Sequence, residues 1–185
     1  QTDFDSQRRA AIAGAADGLA VRRDDPRLLN VLGLAQPVER GFAVVDTARI
    51  AWLGSKAVPN PQVTSEWTTQ QWVHFIDGMG ETLTVEQLAQ LDAAYKFTGT
   101  PNGEIAMRWY PLAIRSGYAE ALPAASEFIE RVGRRKLIMP IYEALVKTPE
   151  GLELAKQAFA KARPGYHPIT TGSVEAAITK AEAGK

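Results

Sequence analysis

The sequence predicts an all-α fold in which antiparallel helix pairs stack into a two-layer solenoid. Three observations carry this reading. Thr and Asn caps recur just ahead of apolar residues spaced i, i+3, i+4, i+7. The expected starts of alternate helices lie somewhat more than thirty residues apart, the period of helix-pair repeats. No stretch shows a convincing period-two alternation. The repeats do not resemble one another in sequence, so the periodicity belongs to the architecture alone. With 185 residues, 45% of them hydrophobic, the chain suffices for one sizeable domain, or a domain with an arm.

In chain order, "RRAAIAGAADGLAVRR" (8–23) reads as a helix weakened by Gly14 and Gly18, each costing about 1 kcal/mol relative to Ala. "DDPRLL" can start another. "FAVVDTARIAWLG" (42–54) looks strand-like at first. Its apolar residues Val44, Val45, Ala48, Ala51 and Trp52 nonetheless follow a helical period. "VPNPQVTSE" (58–66) is the clearest linker, and it suits a long loop within a domain as well as a boundary.

The following helices are more sharply marked. Thr68 with Gln71 forms a capping box ahead of Trp72, Phe75, Ile76 and Met79, with Gly80 as a stop. Thr84 with Gln87 repeats the device before Leu88, Leu91 and Tyr95. Asn102 caps a stripe of Ile105, Trp109 and Leu112, in which Pro111 predicts a kink, and Gly117 closes it. Tyr118, Leu122, Ala125, Ile129 and Val132 come next, ended by Gly133. Ile138, Ile141, Tyr142 and Leu145 follow, with Pro140 as a second expected kink. Thr148 then caps a helix with Pro149 in its first position. A short last helix is expected after Thr171.

Bulk charge narrows the function. Lys plus Arg and Asp plus Glu both number 21. That balance gives no reason to expect nucleic acid or an anionic membrane as the main partner. Without cysteine, disulfides, Cys-ligated zinc, iron–sulfur clusters and thiol nucleophiles are excluded. No apolar run approaches the roughly 20 residues that span a bilayer. "QTDFDSQRRA" has no signal-peptide core and no initiator Met, so the chain is expected to be processed or cut from something longer. The expected compartment is the cytoplasm, with the periplasm or secretion as alternatives.

Catalytic signatures are scarce. His74 and His167 are the two histidines, and neither belongs to an H-E-x-x-H zinc motif. His74 reads as a helix residue beside the Trp72 and Phe75 stripe, and His167, before a proline, as a capping or packing residue. "GMGE" is not a phosphate loop, and "TTGSVE" reads as a cap before the last helix rather than a nucleophile elbow. Glu127, Glu130, Glu143 and Glu150 fall at helix-surface spacing. Three of the four Trp residues (52, 67, 72 and 109) lie in or beside apolar stripes and suit packing.

One cluster breaks a local rule. "RVGRRKLIMP" (131–140) puts Arg134, Arg135 and Lys136 where a helix begins. The helix dipole and free N–H groups there favour anions, by about 0.3–1 kcal/mol per charge. One account has the cations serve the C-terminus of the preceding helix. The other is an anion site, in which free N–H groups and cationic side chains meet a carboxylate.

The stretch from Asn102 to Leu145, with "GYHPIT" near the end, resembles the C-terminal helical domain of leukotriene A-4 hydrolase and its zinc aminopeptidase relatives. The shared features are E-I-x-x-R-W (Glu104, Ile105, Arg108, Trp109), G-R-x-K (Gly133, Arg134, Lys136) and H-P-[IV]-T (His167, Pro168, Ile169, Thr170). The likeness runs from about Phe42 to Thr179 and is weak before that. It divides the chain into an arm or helices over 1–41 and a helical repeat domain over 42–185. The resemblance implies an armadillo- or HEAT-like, two-layer, right-handed α–α superhelix. It also implies that zinc, its H-E-x-x-H helix and the catalytic Glu belong to a preceding domain. No cofactor is then expected in this chain, and no activity of its own. The partners implied are the catalytic domain of the same polypeptide and short peptides. Matched residue by residue, the role of holding a substrate's free carboxylate falls on Arg134 and Lys136. Arg135 receives no role, and epoxide hydrolysis is not carried over.

Two functions are thus set against each other. One is the C-terminal domain of a metallo-aminopeptidase, expected to expose an apolar surface that its catalytic domain covers. The other is a stand-alone helical-repeat module that binds a protein or peptide on its concave face. A gene encoding only this chain, with its own start codon, would favour the second. Nucleic-acid binding is a poor third, since the basic trio is only one turn long.

Overall fold

In the computed structural model, residues 37–55 and 58–184 are described, and these contain helices and no strand. The α-helices are α1 (Pro37–Ser55), α2 (Pro61–Thr64), α3 (Thr69–Asp77), α4 (Val85–Tyr95), α5 (Gly103–Arg115), α6 (Leu122–Arg131), α7 (Arg135–Leu145), α8 (Pro149–Ala162) and α9 (Pro168–Ala183). The helix expected over 8–23 and the start expected at "DDPRLL" lie outside the described residues.

Local chemistry sets most of these boundaries. Thr68 and Thr84 each close a full capping box with Gln71 and Gln87, satisfying donors that a bare helix start leaves open. The Asn102 side chain accepts from the Glu104 N–H, and that of Thr148 from the Gly151 N–H. Pro111 and Pro140 lie inside α5 and α7, which both continue past them. The linker 58–66 is part of the packed unit. It holds α2, buries Thr64, and its Pro59 carbonyl accepts from the Tyr95 hydroxyl at 2.6 Å.

One expectation needs correction. The last helix is neither short nor started after Thr171. It begins at Pro168 because the His167 Nδ1 accepts from the Ile169 N–H and proline suits the first helical position. "TTGSVE" therefore lies within α9. In α1, Val44 and Ala51 are not core residues. Val45 and Trp52 are fully buried with Ala48 beside them, whereas Val44 is 52% exposed. A single stripe is covered, so the outer half of the apolar pattern meets solvent.

Alternate helices build the layers. α3, α5, α7 and α9 pack side by side, and α6 and α8 pair behind them, each touching helices of the first row. The first-row starts at Thr69, Gly103, Arg135 and Pro168 are 34, 32 and 33 residues apart, close to the spacing expected from sequence. Their N-terminal ends lie together along one edge. The Asn102 amide donates to Thr69 Oγ1 at 2.9 Å, Lys136 meets Glu104, and the Thr170 hydroxyl donates to the Gly133 carbonyl at 3.3 Å. At Gly103 the helices come so close that a Cβ would stand 2.9 Å from Leu137 Cδ1.

Between the layers, Trp109, Tyr110, Tyr142, Ile129, Ile138, Ile141 and Leu145 are essentially excluded from water. A run of aromatic rings crosses the first half of the core. Trp72 touches Tyr95 and Phe97, Phe97 touches Trp109, and Trp109 meets Tyr118 edge-on. Farther on, the buried Tyr166 hydroxyl donates to the Ile129 carbonyl and accepts from the Tyr142 hydroxyl at 3.2 Å. Burial pushes both phenols up, so they stay neutral donors.

Candidate functional site

Four helix starts on one edge bring four positive dipole ends together. Three are capped by an accepting side chain, from Thr68, Asn102 and His167. The fourth, that of α7, has Arg134 as its cap residue, and a guanidinium cannot accept a hydrogen bond. The cationic trio therefore stands at a helix start, as the sequence suggested. Arg131 alone ends the preceding helix and can serve its dipole.

The three cations differ in their engagement. The Arg134 guanidinium is exposed and makes no hydrogen bond or ion pair among the described residues. Arg135 donates from Nε to Ser173 Oγ at 2.8 Å, tying α7 to α9. Lys136 donates from Nζ to both oxygens of Glu104, at 3.0 and 3.1 Å. Glu104 sits in the first turn of α5, where a carboxylate is favoured in any case.

Lys136 and Glu104 face a groove of about 540 Å³, lined also by Phe42 from α1 and by Thr69, Gln70, Val73, His74 and Asp77 from α3. Charge pairs join the helices around it in sequence. The His74 Nε2–H donates to Asp46 Oδ1 at 2.8 Å, Arg108 lies 3.2 Å from Asp77, and Lys136 holds Glu104. The buried Arg108 Nε is out of hydrogen-bond alignment with Asp77, so that pair is close but not a good hydrogen bond.

His74 thus does more than accompany the Trp72 and Phe75 stripe. It stacks on Phe42 at 4.5 Å between centroids, and its carbonyl accepts from Arg49. Burial pushes the Asp46 carboxyl up, but the hydrogen bond from His74 and the Arg49 guanidinium outweigh it and hold Asp46 below its ordinary 3.8. A depressed folded-state pKa adds stability above the unfolded value, lost as pH falls through the folded one. The difference in urea unfolding free energy between wild type and Asp46→Asn is therefore expected to shrink below about pH 4. A gap that does not change with pH would remove Asp46 from this role.

The resemblance implies zinc for the parent protein, in a preceding domain. Among the described residues no group of three or more His, Asp or Glu could hold a metal. His74 lies in α3 and His167 caps α9, each already engaged.

The arrangement defines a class: a helical-repeat domain that gathers helix starts, and the cations on one of them, along a single edge. Comparison with known proteins then gives the family. Residues 67–178 match the model described as leukotriene A4 hydrolase, C-terminal. The leucine aminopeptidase 2 of Neurospora crassa is 33% identical over 135 residues, 71% of this chain and 20% of that protein. That of Chaetomium globosum is 30% identical over 67% of this chain and 20% of its own length. The leukotriene A-4 hydrolase of Xenopus laevis is 31% identical over 88 residues, 48% of this chain and 14% of that protein. The chain belongs to the leukotriene A4 hydrolase C-terminal domain family. It spans about a fifth of the length of the curated aminopeptidases it matches.

The sequence names Arg134 and Lys136 as candidates but does not point to Glu104, the partner Lys136 has in the structure. A signal was present, since Glu104 and Lys136 lie 32 residues apart, one repeat, each in the first turn of its helix.

Proposed function

We propose that this domain, taken as residues 42–185, serves a zinc metallo-aminopeptidase. In this reading it packs against the catalytic domain of the same polypeptide, where the zinc belongs. Arg134 and Lys136 then meet the free carboxylate of a short peptide. The observation that carries it is Arg134, an exposed guanidinium with no partner among the described residues, standing where a capping acceptor is usual. The relatives named leucine aminopeptidase support a peptide as the ligand.

Packing against another domain has separate support. The outer face of α1 exposes Val44, Ile50 and Leu53 at 52%, 66% and 39%, an apolar surface of the kind a partner domain covers. Among the described residues no helix is long and apolar enough to cross a membrane. A cytoplasmic setting is kept as part of the proposal.

The test uses the full enzyme that carries this domain, with Arg134→Ala. A charge-assisted hydrogen bond is worth about 1.5–3 kcal/mol, so kcat/KM for a tripeptide with a free C-terminus should fall roughly 10- to 150-fold. The same tripeptide amidated should lose little. Equal, small losses on both would reduce the cluster to helix-end electrostatics and the domain to a scaffold.

A further inference from the structure

The geometry points to Glu104 as an internal competitor for the carboxylate site, a specificity-determining residue that holds Lys136 until a ligand carboxylate shares or replaces it. This inference rests on the reading of Arg134 and Lys136 given above and adds a residue to it.

The argument starts from how the three cations are occupied. Lys136 already binds a carboxylate, the one on Glu104, through both oxygens. The pair is half exposed, with Lys136 at 56% and Glu104 at 39%, and it borders the open groove, so a ligand can reach it. Pairs this exposed contribute little to stability, from nothing to about 1 kcal/mol. Fold stability therefore gives only a weak reason for the pair. Its electrostatic effect on an anion is larger in proportion. A carboxylate arriving at Lys136 comes within a few ångströms of the Glu104 charge. Lysine has three donors, and Glu104 uses the front of the ammonium without burying it. Glu104 thus lowers the affinity of the edge for anions and sets how far a ligand must rely on Arg134.

Glu104→Gln separates charge from shape. The amide oxygen still accepts from Lys136, so the lysine stays in place while the repulsion is gone. One unit of like charge about 4 Å away in a water-like medium amounts to a roughly five-fold change in affinity. Trialanine and trialanine amide would be titrated into the 185-residue chain and followed by backbone amide NMR shifts. The variants are wild type, Arg134→Ala, Glu104→Gln, and Glu104→Gln combined with Lys136→Gln. The expected result is about five-fold tighter binding of the acid by Glu104→Gln, no change for the amide, and loss of the gain when Lys136 is also replaced. If wild type prefers the acid through Arg134 but Glu104→Gln binds it equally or more weakly, the competitor role is overturned and the carboxylate reading stands. If wild type does not distinguish acid from amide and Arg134→Ala changes nothing, both fail together.

Discussion

Trp109→Ala is expected to destabilise the domain by about 3–5 kcal/mol, the usual cost of deleting a large buried aromatic side chain. At this chain length each kcal/mol moves the melting temperature by about 2–4 °C, so a fall of roughly 6–20 °C should be seen by circular dichroism. The indole is fully buried at the middle of α5, between Phe97 and Tyr118, and its Nε1–H donates to Thr98 Oγ1 at 3.0 Å. Trp109 therefore holds the turn after α4 to the first row as well as filling the core. Trp109→Phe keeps much of the volume and loses the hydrogen bond, so its cost should be clearly smaller. A loss below 1 kcal/mol for the alanine variant would mean that the core closes over the gap, and that the aromatic run is not what joins these helices.

Trp109 also shows which parts of the molecule can be read from sequence. Its place in a 3.6-residue stripe depends only on neighbours three and four positions away, and the stripe identifies it as core. The caps at Thr68, Thr84, Asn102 and Thr148 are local in the same way, since each bonds within three residues of itself. The interhelical pairs are not local. Asp46 finds His74 only once α1 lies against α3, and Glu104 finds Lys136 only once α5 and α7 are stacked in register. The burial of α1 depends likewise on which side is covered, and its apolar pattern runs wider than the buried stripe of Val45 and Trp52. The start of α9 was misplaced for a different reason. Thr170 and Thr171 have the residue types of caps, but His167 before Pro168 supplies an acceptor three residues earlier, and the threonines fall inside the helix.

That dependence on stacking extends to the cationic edge. α7 has no accepting side chain at its start, so its first turn lacks the contribution of about 1 kcal/mol that a good cap makes elsewhere. What fixes that turn is packing from beneath, chiefly by Ile138, which is fully buried four residues after Arg134. The Leu137 and Ile138 amides both bond the Arg134 carbonyl, at 2.9 and 3.3 Å. Ile138→Ala is therefore expected to cost about 2–5 kcal/mol overall. Its local effect should be concentrated at the same turn. In native-state hydrogen exchange under conditions where the variant stays folded, protection at Leu137 and Ile138 should fall more than at α3 or α5. A uniform fall across all helices would mean that the first turn of α7 opens only with the whole domain. A selective fall would mean that the placement of Arg134 and Lys136 depends on one buried isoleucine rather than on a cap.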